Sequence, residues 1–407
     1  MFIPKPKRAL FISMPSPKYL ETASIVTAKL VKAMEEDGWQ MDMVGMSYKD
    51  SGHAEDPTLA GHIDKERLYE AGCFLNKRFT WVFSAYRLAR KLTQKNNYDF
   101  IFTFSPHTWS NVVGWLLKKK TKLSWIAFFA DPWGNSPDLK FKFLRRIIEK
   151  QVLLTADAVV YSNYRLESWA LSQFPGLRDK ISHKVFAIPY FYDSKLYPSI
   201  QEKGLKEKII FRHLGQIPVG GYIISLLYAL KMLFDENPDI AQKVIFEFYG
   251  KASPKYNGKV EKLSKTLKLE NQVVFHSDLK KIIHVPYSES LRLMKEADAL
   301  VLLGIHPSYF HGWGDTILHI KLIDYIGANK PIFALCGKNS LTSELLNDGI
   351  SICSSDSPAE IKDVLLKFIL NTPKLTVSLK DKFSKANVYP LWKNMFAQTL
   401  RKDGRKS

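Results

Sequence analysis

Four loops in this chain carry residue types that bind anions, move protons or stack on rings, and each follows an apolar run. In FFADPWGNSP, residues 128–137, Asp131 stands just past such a run, where a carboxylate can take a proton from an alcohol or orient it. Pro132 restricts the backbone before it, and Trp133 can wall a sugar or a base. The same aspartate also reads as an Asx-turn or a helix cap. In FTFSPHTWSN, residues 102–111, His107 can contact a substrate, although a histidine with no visible partner also serves structure. Ser13 and Pro15 open the turn SMPSPK, which a ligand can approach closely or which simply joins a strand to a helix.

The fourth loop is GIHPSYFHGWGDTILHIKLIDYIGANKPI, residues 304–332. Gly312 and Gly314 permit close backbone approach, and the helix after them offers free N–H groups and a positive dipole end to a diphosphate. Lys321 is expected about two turns into that helix, with Asp324 three residues on. A lysine there neutralises phosphate charge, and a carboxylate holds both hydroxyls of a ribose. A salt-bridged surface helix between two strands is the alternative.

Such loops need a scaffold that brings strand ends together. Short β-rich runs alternate with longer amphipathic segments, the pattern of parallel α/β domains. Strands are expected at 8–14, 40–45, 98–104, 123–129, 157–162 and 184–188, with a helix at 21–37 stopped by Gly38. A second series runs through 208–214, 243–249, 272–276, 299–303, 331–335 and 350–353. At 407 residues the chain exceeds one comfortable core, so two Rossmann-like doubly wound domains are expected, 1–196 and 209–378, joined by the polar linker 197–208. Neither domain opens with GxGxxG and no GxxxxGK[ST] occurs, so dinucleotide oxidoreductases and P-loop NTPases lack their phosphate cradles.

The formal charge is +19, with both halves basic, which favours phosphorylated metabolites, acidic lipid surfaces or nucleic acid as partners. No zinc-finger, RNP-type or helix-turn-helix arrangement supports nucleic acid. Cys73, Cys336 and Cys353 show no CxxC spacing, so neither a metal site nor a disulfide framework is expected, and a reducing cytoplasmic setting fits. No stretch approaches the roughly 18–20 apolar residues of a membrane span. Residues 74–95 carry six basic side chains and no acid. As a helix they place Leu75, Phe79, Val82, Phe83 and Tyr86 on one face, with Lys77, Arg87, Lys91 and Lys95 opposite and Trp81 and Leu88 falling among these basic residues. That segment reads either as peripheral contact with an anionic membrane or as a core helix with a solvated face.

The succession AFFADPWGN, ADAVVYSN, HLGQI, PYSESLRLMKEADALVLLG and HIKLIDYIGANKPIFAL resembles the group-one bacterial glycosyltransferases of the GT-B fold, from the first strand to the C-terminus. These are retaining enzymes that build capsules, O-antigens and lipid-linked oligosaccharides. The resemblance implies a nucleotide-sugar donor, UDP-sugar foremost, and a carbohydrate or polyprenyl-linked acceptor, with no cofactor and no metal. It implies that Asp324 binds the ribose, that Lys321 matches a recurrent lysine, and that Gly215, with Gln216, opens the donor domain. It sets Asp131 where many members carry a catalytic histidine, and makes 379–407 a terminal helix returning to the N-terminal domain. Two features depart from the pattern. The clan's first glutamate is replaced by Thr316, with Asp315 beside it, and QIPVGGY after Gly215 lacks the usual Arg and Lys. A non-catalytic GT-B-like subunit of a polysaccharide-assembly complex is the alternative these departures suggest.

Overall fold

The computed structural model describes residues 7–19, 21–51, 55–74, 78–105, 108–133, 142–200, 207–218, 222–250, 258–276, 285–306 and 313–401. His107 and Gly312, both expected in the site, lie outside them. The chain divides into two compact units, Met1–Tyr190 with Val388–Ser407, and Phe191–Asn387.

The first unit holds seven strands: β1 (Lys7–Ser13), β2 (Trp39–Met46), β3 (Leu68–Ala71), β4 (Phe100–Phe104), β5 (Ser124–Phe129), β6 (Ala158–Tyr161) and β7 (Val185–Ala187). They form one parallel sheet in the order β3-β2-β1-β4-β5-β6-β7. FIFTF of β4 and SWIAFF of β5 are buried along their whole length, as central parallel strands covered on both faces must be. Its longer helices include α1 (Thr22–Glu36), α2 (Trp81–Lys95), α3 (Trp109–Thr121) and α4 (Lys142–Thr155), with α3 packed against both α2 and α4.

The second unit holds β8 (Ile209–Leu214), β9 (Val244–Tyr249), β10 (Val273–Phe275), β11 (Ala299–Leu303), β12 (Ile332–Leu335) and β13 (Ile350–Cys353). Their order is β10-β9-β8-β11-β12-β13, again all parallel. Helices α5 (Tyr222–Glu236) and α6 (Ile320–Ala328) belong to this unit. The last long helix, α7 (Lys385–Arg401), buries Val388, Tyr389, Trp392, Met395 and Phe396. Its Trp392 ring lies 5.8 Å from Phe102 and 5.9 Å from Phe128, against one face of the first sheet.

Strand order reverses between β1 and β4 in one sheet and between β8 and β11 in the other. Ligands of open α/β sheets bind beyond the C-terminal strand ends at such reversals.

Candidate active site

At the reversal in the second sheet, β8 runs into Gly215, whose φ of +95° an L side chain rarely adopts. Gly250, after β9, comes so close that a Cβ on it would stand 2.3 Å from the Gly215 carbonyl oxygen. The tight pair keeps Gly215 and Gln216 exposed as a bare backbone turn.

The side chain that reaches this turn is Lys321. Its Nζ lies 3.1 Å from the Gln216 carbonyl oxygen and 3.2 Å from His213 Nε2. His213 Nδ1 sits 2.9 Å from the Val301 carbonyl, which can only accept, so Nδ1 carries the proton and Nε2 turns its lone pair to the lysine. Burial, then the neighbouring Lys321 charge, pushes His213 down to about 3, which keeps it neutral in that role. Burial likewise pushes the Lys321 ammonium down to about 7. An ammonium has three N–H bonds, and these two partners leave one for a ligand.

Lys321 is the second residue of α6, in its first turn, not about two turns in as the residue pattern suggested. Gly314–Thr316 forms a separate 3-10 turn, and α6 begins only after His319. The later start carries the lysine to the positive end of the helix. That end has no side-chain cap and no acid in its first turn, so its dipole is left for an anion.

Asp324, one turn further, is buried, and Tyr287 donates to its Oδ1 at 3.1 Å. Tyr197 donates to the Asp324 backbone carbonyl at 2.9 Å, fixing the helix. Thr316 is buried and its hydroxyl donates to the Trp313 carbonyl at 2.7 Å, while Asp315 beside it is half-exposed. Lys321, Gln216 and Gly215 are thus gathered in one place. Asp324 shares α6 with Lys321, and Gly314, Asp315 and Thr316 form the short turn ahead of it.

At the reversal in the first sheet, Ser13 ends β1 and Ser105 follows β4. The hydroxyls of Ser13, Ser16 and Ser105 are buried with no hydrogen-bond partner among the described residues, an arrangement that proteins rarely leave without a role. Pro15 is buried in the same turn. Asp131 is half-buried just beyond β5, and its charge helps burial to raise the Tyr190 hydroxyl. Trp133 is buried, edge-on to Trp109 at 5.9 Å, and its carbonyl accepts from Arg145 at 2.8 Å. It is a core contact rather than an open wall.

His213 and Tyr287 escaped the sequence reading. A histidine inside a strand looks like any core residue, and only the fold sets it against a lysine 108 positions away.

Residues 22–176 match the glycosyl transferase 4-like domain. No curated protein sequence matches the chain. Among solved structures, sucrose-phosphate synthase from Thermosynechococcus elongatus superimposes with a TM-score of 0.71 at 14% identity, over 97% of this chain and 100% of that one. HepE of Anabaena in complex with UDP-glucose gives 0.66 at 14% identity, over 97% and 99%. The lipopolysaccharide outer core galactosyltransferase WaaB gives 0.60 at 11% identity, over 96% and 99%. With two parallel sheets of this order and these structural neighbours, the chain has the two-domain GT-B fold of glycosyltransferases, and its N-terminal half carries a glycosyl transferase 4-like domain.

Proposed function

We propose that this protein transfers a sugar from a nucleotide-sugar, foremost a UDP-sugar, to a hydroxyl of a carbohydrate or polyprenyl-linked acceptor in bacterial surface polysaccharide synthesis. The observation that carries the proposal is the Lys321 ammonium, held over the bare Gly215–Gln216 turn at an uncapped helix end with one N–H to spare. In this reading the donor diphosphate takes that N–H and the first-turn amides of α6. Charge develops on the diphosphate as it leaves, and Lys321 with the helix end offsets it where a metal ion otherwise would. Asp324 binds the ribose, and Gly314 and Asp315 flank the donor sugar. Asp131, at the same sheet edge as the unpartnered Ser13 and Ser105 hydroxyls, orients the acceptor. Retention of configuration follows the family resemblance. Among the described residues no helix is long and apolar enough to cross a membrane. Contact with the inner face of the plasma membrane, through residues 74–95, is therefore proposed as peripheral.

Calorimetric titration with UDP, GDP, ADP and CMP tests this. UDP is expected to bind, and Asp324→Asn, which keeps the volume and the Tyr287 partner, to weaken it about tenfold or more. Folded protein that binds none of the four overturns the proposal.

A second reading, a non-catalytic subunit of a polysaccharide-assembly complex, is favoured by one observation. Thr316 stands where the clan has a glutamate, and its hydroxyl is spent on Trp313. It predicts nucleotide binding without turnover of any sugar.

A further inference from the structure

Helix α2 turns Trp81, Val82, Ala85, Ala89 and Leu92 inward. Phe79, just before it, and Phe83 are exposed with Arg87 and Lys91, not set opposite them as the residue pattern suggested. One turn apart near the far end of the same helix, Arg90 and Gln94 are exposed as well.

That end packs beside α3, and the two helix ends border a groove of about 580 Å³, the size of a site for a small molecule or a short oligomer. Both helices leave from the C-terminal end of one strand and carry the chain back to the start of the next. The groove therefore sits at the sheet edge opposite Ser13, Ser105 and Asp131, roughly 20 Å away along helices of 15 and 13 residues.

Its walls are held from within. Tyr98, ahead of β4, is buried and donates to the buried Asp42 at 2.5 Å, which Arg8 Nε also holds at 3.0 Å. Asp99 accepts from the Arg8 amide at 2.7 Å. The loop between α2 and β4 is thus fixed before any ligand arrives, which lowers the cost of binding. The groups turned to solvent are by contrast unspent. In the run Lys118–Lys122, Lys118 pairs with Asp157 at 2.6 Å and Lys119 lies over the Trp115 ring at 3.8 Å. Among the described residues Lys120 has neither kind of partner, nor has Arg90, and both line the groove with the exposed amides of Gln94 and Asn97.

We propose that this groove binds an acidic saccharide, a short run of sugar rings carrying carboxylate groups. Arg90 and Lys120, one on each helix, take carboxylates spaced along the chain, the guanidinium in its two-bonded form. The amides of Gln94 and Asn97 each offer a donor and an acceptor to ring hydroxyls. Asp99 also lines the groove, and its charge disfavours the denser charge of phosphate. Single-stranded nucleic acid needs rings to stack on, and the Tyr98 ring here is buried. A lipid surface needs exposed apolar side chains, and the groove offers the half-buried Leu123. The purpose of the groove rests on the transferase reading. An acidic glycan held here stays with the enzyme between additions, at an edge that the reacting hydroxyl does not use.

The test is calorimetric titration of the full chain with tetragalacturonate, maltotetraose, inorganic phosphate and polyuridylate. Tetragalacturonate is expected to bind at one site, with maltotetraose and phosphate each about tenfold weaker or more, since one lacks the charge and the other the hydroxyls. Arg90→Glu with Lys120→Glu weakens the acidic tetramer by about tenfold or more, and Gln94→Ala with Asn97→Ala by about threefold or more. Both double variants keep UDP binding, since none of the four residues belongs to the donor unit. Four results overturn the proposal: no binding of the acidic tetramer, maltotetraose or phosphate bound as tightly, variants that bind the tetramer like wild type, or polyuridylate that outcompetes it. A wild type that binds the acidic tetramer but no nucleotide removes the transferase reading and leaves the groove standing.

Discussion

At the amine of Lys321 an uncharged histidine, a backbone carbonyl and the end of a helix converge, and burial makes the group titrate near neutrality. The free protein holds this proton below about pH 7, and a bound diphosphate, being anionic, raises the lysine back toward its usual range. Affinity for a UDP-sugar, whose phosphodiester groups do not titrate there, is then level below neutrality. Above it, affinity falls by up to about tenfold per pH unit. Lys321→Met is expected to lower affinity about ten- to a hundredfold on the acid side and to flatten the profile. Calorimetry of UDP-glucose binding on both sides of neutrality checks this, and an unchanged slope in the variant refutes the contact. Lysine and aspartate were legible in the sequence because charged residues three apart in an apolar helix stand out. Their depth in the helix was not, since the break between Thr316 and His319 depends on backbone angles that the residue types leave open.

Among the elements, α3 and the central strands are joined by an unusually close approach. A Cβ on Gly114 would lie 2.4 Å from Trp125 Nε1 and 2.6 Å from Thr103 Cγ2. Trp125 Nε1 donates to Thr103 Oγ1 at 2.9 Å, and Thr103 in turn donates to Asn111 at 2.6 Å, so neither neighbour can move without breaking a buried bond. Gly114→Ala is expected to cost roughly 1–3 kcal/mol through overpacking, measured by denaturant unfolding, despite the better helix propensity of alanine. A stabilised variant would contradict this packing. The central strands were readable because they are continuous apolar runs. β3 was not: LYEA is short, half-exposed and flanked by charge, as an edge strand tends to be, and it carries no alternation to recognise. The inward face of α2 was misread for a related reason. Its buried stripe joins Trp81, Val82 and Leu92 through Ala85 and Ala89, whose small size lets the helix lie close to the sheet, while Phe83 points outward.

At the scale of the whole chain, the doubly wound plan was legible from the alternation of strands and helices, which twelve apolar runs repeat at close spacing. Those runs do not announce how much the first sheet owes to α7. Trp392 and Phe396 cover Phe100, Phe102 and Phe128, and no local pattern links residues separated by so many positions. Trp392→Ala is expected to lower the stability of the first unit by about 3–5 kcal/mol. UDP binding by the second unit should be untouched, a pairing that differential scanning calorimetry with and without UDP resolves. Equal loss at both units would contradict it.

That late-arriving helix also bears on how the chain is made. The first unit is made in two parts and closes only with Val388 onward, after the whole of Phe191–Asn387 has been translated. At usual ribosome speeds the gap lasts roughly ten to forty seconds, during which a row of phenylalanines waits uncovered. A nascent chain in that interval is the natural client of a holding chaperone, and ribosome-bound intermediates stalled before Val388 are where its grip should be strongest.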